Sequence, residues 1–268
     1  MIRDITIGQF YPGESQIHKL DARLKIVITF IFIISLFVLR NFIGYAIVVA
    51  ALAAVIAASG VPLGYILKGL KAIFIIIIIT FTMNMFMTAG EPLVKLGFIT
   101  ITREGLYNAV FLGLRLILLI IGSSLLTLTT KPIKLTDGIE SLLKPLKVIG
   151  VPAHELAMMM TIALRFIPTL LEETDKIMKA QMARGADFES GSILKRARSM
   201  IPILVPLFIS AFRIAQDLAM AMEARCYRGG DGRTKLHEMK MKKRDGVAIV
   251  LTCIYIAALI LERFVVYW

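Results

Sequence analysis

Two arginines stand in the same kind of tripeptide, each near the end of a long helical pattern: Ala183-Arg184-Gly185 and Ala224-Arg225-Cys226. A guanidinium is a planar fork of donors, suited to carboxylates or to backbone carbonyls lining a groove. Two such forks, each delivered by its own helix, suit docking onto a pair of similar partners. Taken alone, the first triplet has a plainer reading. Glycine is favoured just past a helix end, and arginine complements the negative end of the helix dipole. The second triplet departs from it, because Cys226 replaces the cap residue and the next glycine is Gly229. That spacing predicts a delayed cap, with Arg225 still on helix and Tyr227 and Arg228 following.

The methionines concentrate in the same region. Ten of the 14 lie between positions 151 and 245, among them Met158, Met159 and Met160. Flexible thioethers let one surface repack against different partners, and they also fill gaps in ordinary cores. Both uses remain open, as they do for Pro168, Pro202 and Pro206, which are expected to bend or break the helices that carry them. These six residues form a candidate surface for a membrane partner or for helix packing. Among the polar residues inside apolar stretches, Asn84 and Arg115 stand out. An arginine at mid-membrane costs about 2.5–3.5 kcal/mol on insertion scales, so Arg115 must face protein or water. An internally paired or snorkelling arginine satisfies that, and so does one at a partner-facing surface.

Catalytic chemistry has little to work with. There is no GxxxxGK[ST], and Gly229-Gly230-Asp231-Gly232 lacks the lysine and the preceding strand that a phosphate-binding loop needs. Cys226 and Cys253 form no CxxC pair, and His18, His154 and His237 are scattered. No His/Asp/Glu pair falls within a span, where a proton relay or metal site would need it. We expect no catalytic residues, no metal and no cofactor.

The elements that must position these residues are membrane helices. The chain has 268 residues, 57% of them hydrophobic, and a mean hydropathy of +0.78. Soluble domains sit at roughly 45–50% apolar. Four spans are predicted at 24–39, 42–59, 72–89 and 106–128, and a fifth at 246–261. Asp21 is placed to cap the first, with Arg23 and Lys25 at its membrane edge. Between them, 131–149 reads as a short amphipathic helix and two long helices follow, 152–183 and 192–227. Their apolar middles, 156–171 and 201–212, are too short to span and suit re-entrant, interfacial or core positions. The expected fold is therefore an all-α integral membrane protein: a membrane region (1–130), a cytoplasmic or interfacial helical region (131–245) and a final membrane helix (246–268). The first twenty residues are polar and carry no cleavable signal pattern.

The net charge of +12 is topological before it is a binding signal. Of the 31 Lys and Arg residues, 20 lie between 131 and 245, which predicts a cytoplasmic region and a cytoplasmic amino terminus four spans earlier. The 60–71 loop, with Lys68 and Lys71, falls on the same side, and the segments at 40–41 and 90–105 outside. No basic patch with interleaved aromatics faces a polar surface, so nucleic acid is not expected as a partner.

These residues resemble the transmembrane T component of energy-coupling factor transporters, the family that includes the cobalt, nickel and biotin transporter T proteins. Ser15, His18, Leu20-Asp21, Arg23 and Lys25 look like its N-terminal pattern, with Ala22 where proline is common. The run Leu164 to Pro168, then Glu172-Glu173 and Ala180 to Gly185, is similar to its first signature, and Glu223 to Gly230 resembles the second. The resemblance implies that Arg184 and Arg225 end cytoplasmic coupling helices and dock into two ABC-type ATPase subunits, which bind the ATP. It also implies a small membrane S component gripped by helices and spans, vitamin or transition-metal uptake, and a place in a prokaryotic cell membrane. A stand-alone permease or channel is the rival reading, with Arg115 and Asn84 its clearest path-lining candidates. A scaffold for an assembly or secretion complex is a third, and it leaves the repeated arginine ends unexplained.

Overall fold

The computed structural model describes residues 10–39, 41–88, 90–96, 99–188, 192, 194, 198–229 and 239–266. Arg40, the glycine-rich Gly230 and Gly232 with Asp231, and His237 lie outside them. The expected all-helical membrane class holds. The helices are α1 (Ala22–Val38), α2 (Phe42–Ser59), α3 (Leu63–Met87), α4 (Arg103–Thr129), α5 (Pro132–Leu143), α6 (Ala153–Ala183), α7 (Ile201–Ala224) and α8 (Lys243–Val266).

Among the described residues, one unit comprises 10–142 and 239–266, the other 143–229. In the first, α4 is the centre, packing on α1, α2 and α3. Leu36, Leu39, Tyr45, Val48, Leu52, Phe111 and Leu118 form one buried cluster. Val61, Ile66, Leu125 and Leu128 form a second. The other faces of these helices carry large exposed apolar side chains, such as Phe30, Phe74, Ile75, Val250 and Leu251. A small core with apolar outer faces is what a bilayer permits, since lipid tails are as apolar as the side chains themselves.

The boundaries follow local chemistry. Asp21 caps α1 as expected, its Oδ1 accepting the Arg23 backbone N–H at 2.9 Å. Gly60 ends α2 in the left-handed conformation at φ +66°. Three expectations are corrected. The segment read as the 60–71 loop is helix, so α3 starts at Leu63 and bends by 60° between Lys71 and Ile73. Within 90–105 the chain folds into a two-stranded antiparallel ribbon, β1 (Pro92–Leu96) and β2 (Ile99–Thr102). Its β-branched Ile-Thr-Ile-Thr run favours extended backbone. Finally, 131–149 is not one helix: α5 stops at Leu143 and a 3₁₀ turn, Lys144–Ile149, follows. Pro145 supplies no N–H and disfavours α geometry at the residue before it.

The ribbon delivers the chain to α4 at close quarters. Thr102 Oγ1 accepts the Gly105 N–H and donates to the Thr88 carbonyl at 2.8 Å. A methyl group at Gly105 would lie 2.9 Å from the Met85 carbonyl oxygen, so only glycine lets the two backbones approach this far.

In the second unit α6 and α7 form an antiparallel pair. Gln181 near the end of α6 reaches the Pro202 carbonyl at the start of α7 (3.5 Å). At the opposite end Tyr227 reaches His154 (3.4 Å) and the Met158 sulfur (3.0 Å). The prolines do not break these helices. α6 runs through Pro168, and Pro202 sits in the first turn of α7, where no intrahelical N–H is lost. The described α7 starts at Ile201 rather than 192, with 193 and 195–197 outside the described residues. The expectation that both helices are too short to span is corrected as well. At 31 and 24 residues, α6 and α7 each contain a stretch long and apolar enough to cross a membrane, as α2, α4 and α8 do. Counting only unbroken apolar runs missed that a long span tolerates a charge such as Arg165 or Arg213.

Candidate functional site

The two arginine triplets end their helices in the same way. At α6 the Gly185 N–H bonds to the Met182 carbonyl and the Ala186 N–H to the Gln181 carbonyl, both at 3.0 Å. At α7 the Cys226 N–H bonds to Glu223 (2.9 Å) and the Tyr227 N–H to Met222 (3.0 Å). Each is a Schellman motif, which requires a left-handed residue just past the cap. Gly185 fills that place at φ +88°, and Cys226 fills it at φ +54°. Arg184 and Arg225 occupy equivalent cap positions with nearly equal dihedrals (φ −88°, ψ 6° and φ −90°, ψ 10°). The expected delay of the second cap to Gly229 is therefore wrong. Cys226 itself turns the chain, and Arg225 is presented as Arg184 is.

A left-handed β-carbon-bearing residue costs roughly 1–2 kcal/mol. Cys226→Gly is accordingly expected to stabilise the protein by about 1 kcal/mol in thermal or denaturant unfolding, and Cys226→Ala to gain nothing. Equal gains from both would place the cost in the thiol rather than the backbone.

Ala183, Arg184, Gly185, Ala224, Arg225 and Cys226 are all exposed, and neither guanidinium is ion-paired among the described residues. Because the helices run antiparallel, the two arginines lie at opposite ends of the pair. The separation is on the order of the 24-residue length of α7, about 36 Å. Between them, α7 shows an exposed apolar stripe of Leu204, Val205, Phe208, Ile209 and Phe212. Of the candidate partner or packing residues, Met158 is engaged by Tyr227 and Met160 is half-buried, while Met159, Pro168 and Pro202 are exposed. Pro206 is half-buried inside α7.

The intramembrane polar residues are satisfied locally. Arg115 donates from Nε to the Tyr45 hydroxyl (3.0 Å) and from Nη2 to the Leu39 carbonyl (3.3 Å), with its guanidinium 5.5 Å from the Phe37 ring centroid. Asn84 donates to the Thr80 carbonyl one turn back (2.9 Å).

Sequence reading missed a polar knot that joins four helix ends in the first unit. Asp245, 2% exposed at the start of α8, accepts the Asp21 N–H (2.9 Å) and the Lys242 N–H (2.7 Å). Arg23 pairs with Asp21 through two nitrogens and reaches the Met239 carbonyl (2.7 Å) and Ser141 Oγ (3.3 Å). Lys25, 6% exposed, donates to the Thr129 carbonyl (2.9 Å), Thr130 Oγ1 (3.2 Å) and the His18 carbonyl (3.4 Å). Burial raises the Asp21 carboxyl, but hydrogen bonds and charge from Arg23 outweigh it and hold its pKa below the usual carboxylate value. Burial lowers the His18 pKa, against the Tyr11 carbonyl that raises it, and the nearby Lys25 charge lowers it further. The signal was the N-terminal pattern from Ser15 to Lys25, which names the donors but not the carboxylate more than two hundred residues away.

Comparison with known proteins decides the family. Residues 13–236 match CbiQ, the cobalt transport protein family. The chain belongs to this family. It is 59% identical over 270 residues to the energy-coupling factor transporter transmembrane protein EcfT of Clostridium kluyveri, covering 100% of this chain and 99% of that protein. The EcfT of Thermosediminibacter oceani is 59% identical over 264 residues (98% and 100%), and that of Bacillus subtilis 46% identical over 261 (97% and 98%). As a member of the family the chain is a multi-pass bacterial membrane protein, the transmembrane component of an energy-coupling factor transporter. The family match takes in both arginine-capped helix ends and the N-terminal pattern, leaving residues 1–12 and everything from 237 on, α8 included, beyond its limits.

Proposed function

We propose that this protein is the coupling subunit of its transporter, passing ATP-driven motion from two ABC-type ATPase subunits to a small membrane S component that carries a vitamin or transition-metal ion. The observation that carries this reading is the pair of equivalent helix ends. Each presents an exposed arginine with no ion pair among the described residues, and they lie at opposite ends of one antiparallel pair. A guanidinium held at a backbone-defined cap can enter a groove of carbonyls or carboxylates with little further ordering, which favours affinity. A pulling motion at one end reaches the other because each helix is continuous through its proline. The exposed stripe of α7 and the neighbouring Met159 suit an apolar membrane partner.

On this reading the chain performs no catalysis of its own and binds no cofactor, ATP being bound by the partners. On this reading α6 and α7, though apolar enough to cross a membrane, lie along its cytoplasmic face, because an antiparallel spanning pair would put Arg184 and Arg225 on opposite sides. The amino terminus and the 131–245 region then face the cytoplasm, in keeping with their positive charge. The permease reading loses its main support, since Arg115 and Asn84 are spent on internal hydrogen bonds rather than lining a path. Affinity capture from native membranes tests the proposal. Two ATPase polypeptides, or two copies of one, and a small apolar protein are expected among the accompanying chains. Capture of the chain alone, together with substrate uptake by it alone in liposomes, would overturn the proposal in favour of a permease.

A further inference from the structure

A cavity of about 170 Å³ lies where the start of α1 meets the end of α4 and the start of α5. Four lysines line it, Lys19, Lys25, Lys131 and Lys134, with His18 and Thr130. Among the described residues no carboxylate lines it. Lys19 is paired with Glu14 on the outer, exposed side (3.2 Å). Lys131 and Lys134 have no ion pair among the described residues, and Lys131 lies 5.6 Å from the Phe10 ring centroid, which holds it near the mouth. Lys25 forms the floor, its three N–H groups all bonded to uncharged oxygens. The carboxylate bearing on it, Asp245, is committed to two backbone N–H groups.

The floor therefore supplies fixed positive charge and the two rim lysines supply free N–H donors. Like charges gathered at one cavity repel unless an anion joins them, and oxygen-rich anions match ammonium donors. The location adds the second half of the argument. Lys25 is in the first turn of one apolar helix and Thr129 is the last residue of another, so the cavity opens at the level where hydrocarbon gives way to headgroups. Basic pockets between helices at that level suit phosphate-bearing headgroups. Phe10 and Gly13 line the cavity, and the segment between them is tied down by the Tyr11 N–H on the Leu128 carbonyl (2.9 Å).

We propose that this cavity binds one phosphate group, brought either by an anionic lipid headgroup or as free phosphate. The test is thermal unfolding of the full-length purified protein in detergent, titrated with phosphatidylglycerol, with zwitterionic phosphatidylcholine, with inorganic phosphate, or with chloride at equal ionic strength. Lys131→Gln with Lys134→Gln removes two exposed rim charges. Lys243→Gln with Arg244→Gln removes two exposed charges outside the cavity. Stabilisation of the parent protein by phosphatidylglycerol or phosphate is expected, with a half-saturating concentration roughly tenfold to thirtyfold higher in the rim variant and unchanged in the control. Response to phosphatidylglycerol only identifies a lipid, and equal response to inorganic phosphate identifies the free ion. The proposal falls if neither stabilises more than chloride or phosphatidylcholine, or if both double variants weaken binding equally.

Discussion

Arg184→Glu combined with Arg225→Glu is expected to abolish capture of the ATPase subunits, weakening association by at least 100-fold. Each single change should cost about 2–5 kcal/mol where the guanidinium is buried on docking, because a carboxylate in its place repels the groove that received it. The fold should be untouched. Both side chains are exposed, and the caps are made by backbone N–H groups of the following residues, which the substitutions leave in place. Unfolding temperature and helix content therefore serve as internal controls. Single variants that bind at half occupancy, one ATPase lost and the other kept, would show that the ends act separately. Unchanged affinity in a folded double variant would remove the docking role.

Asp245→Ala is expected to give the largest loss of stability, about 2–5 kcal/mol. The side chain is almost wholly buried and accepts two backbone N–H groups, from Asp21 and Lys242. Its removal leaves both donors unsatisfied at about 1–3 kcal/mol each and takes away a negative charge that favours the buried Lys25 ammonium. Asp245→Asn retains one acceptor oxygen and should fall between the two. Asp217→Ala, on the exposed face of α7, should change stability by no more than about 0.5 kcal/mol. Unfolding temperature of the detergent-solubilised variants checks the order. Equal values for Asp245→Ala and Asp217→Ala would mean that the knot is not what joins α8 to α1.

Low pH bears on the same knot. Arg23 holds the Asp21 pKa below its unfolded value, so Asp21 contributes stability above the ordinary carboxylate range. That contribution is lost as pH falls through the lowered pKa.

Much of this protein was legible in its residues because a bilayer imposes strong patterning. Apolar runs at α2 and α4, the aspartate before α1, the glycine after α2 and the proline opening α6 each act through neighbours a few residues away. The family was legible for the same reason, through short motifs in a fixed order. The two arginines were legible as a pair, but their equivalence was not. Whether Cys226 or Gly229 turns the chain depends on which residue adopts a left-handed backbone, and cysteine has no such preference to read. The spanning capacity of α6 and α7 was understated, since helices of 31 and 24 residues can carry charges that interrupt an apolar run.

What the sequence by itself determined is the class, the helices and the arginine-bearing ends, all of them local properties of one chain segment. Tertiary structure alone decided what those segments meet. It showed that Arg115 is answered by Tyr45 and Leu39, that Asp21 shares Asp245 with the start of the last helix, and that four lysines close around one cavity. Such pairings depend on distance in space between residues far apart in the chain, and neither periodicity nor composition encodes it.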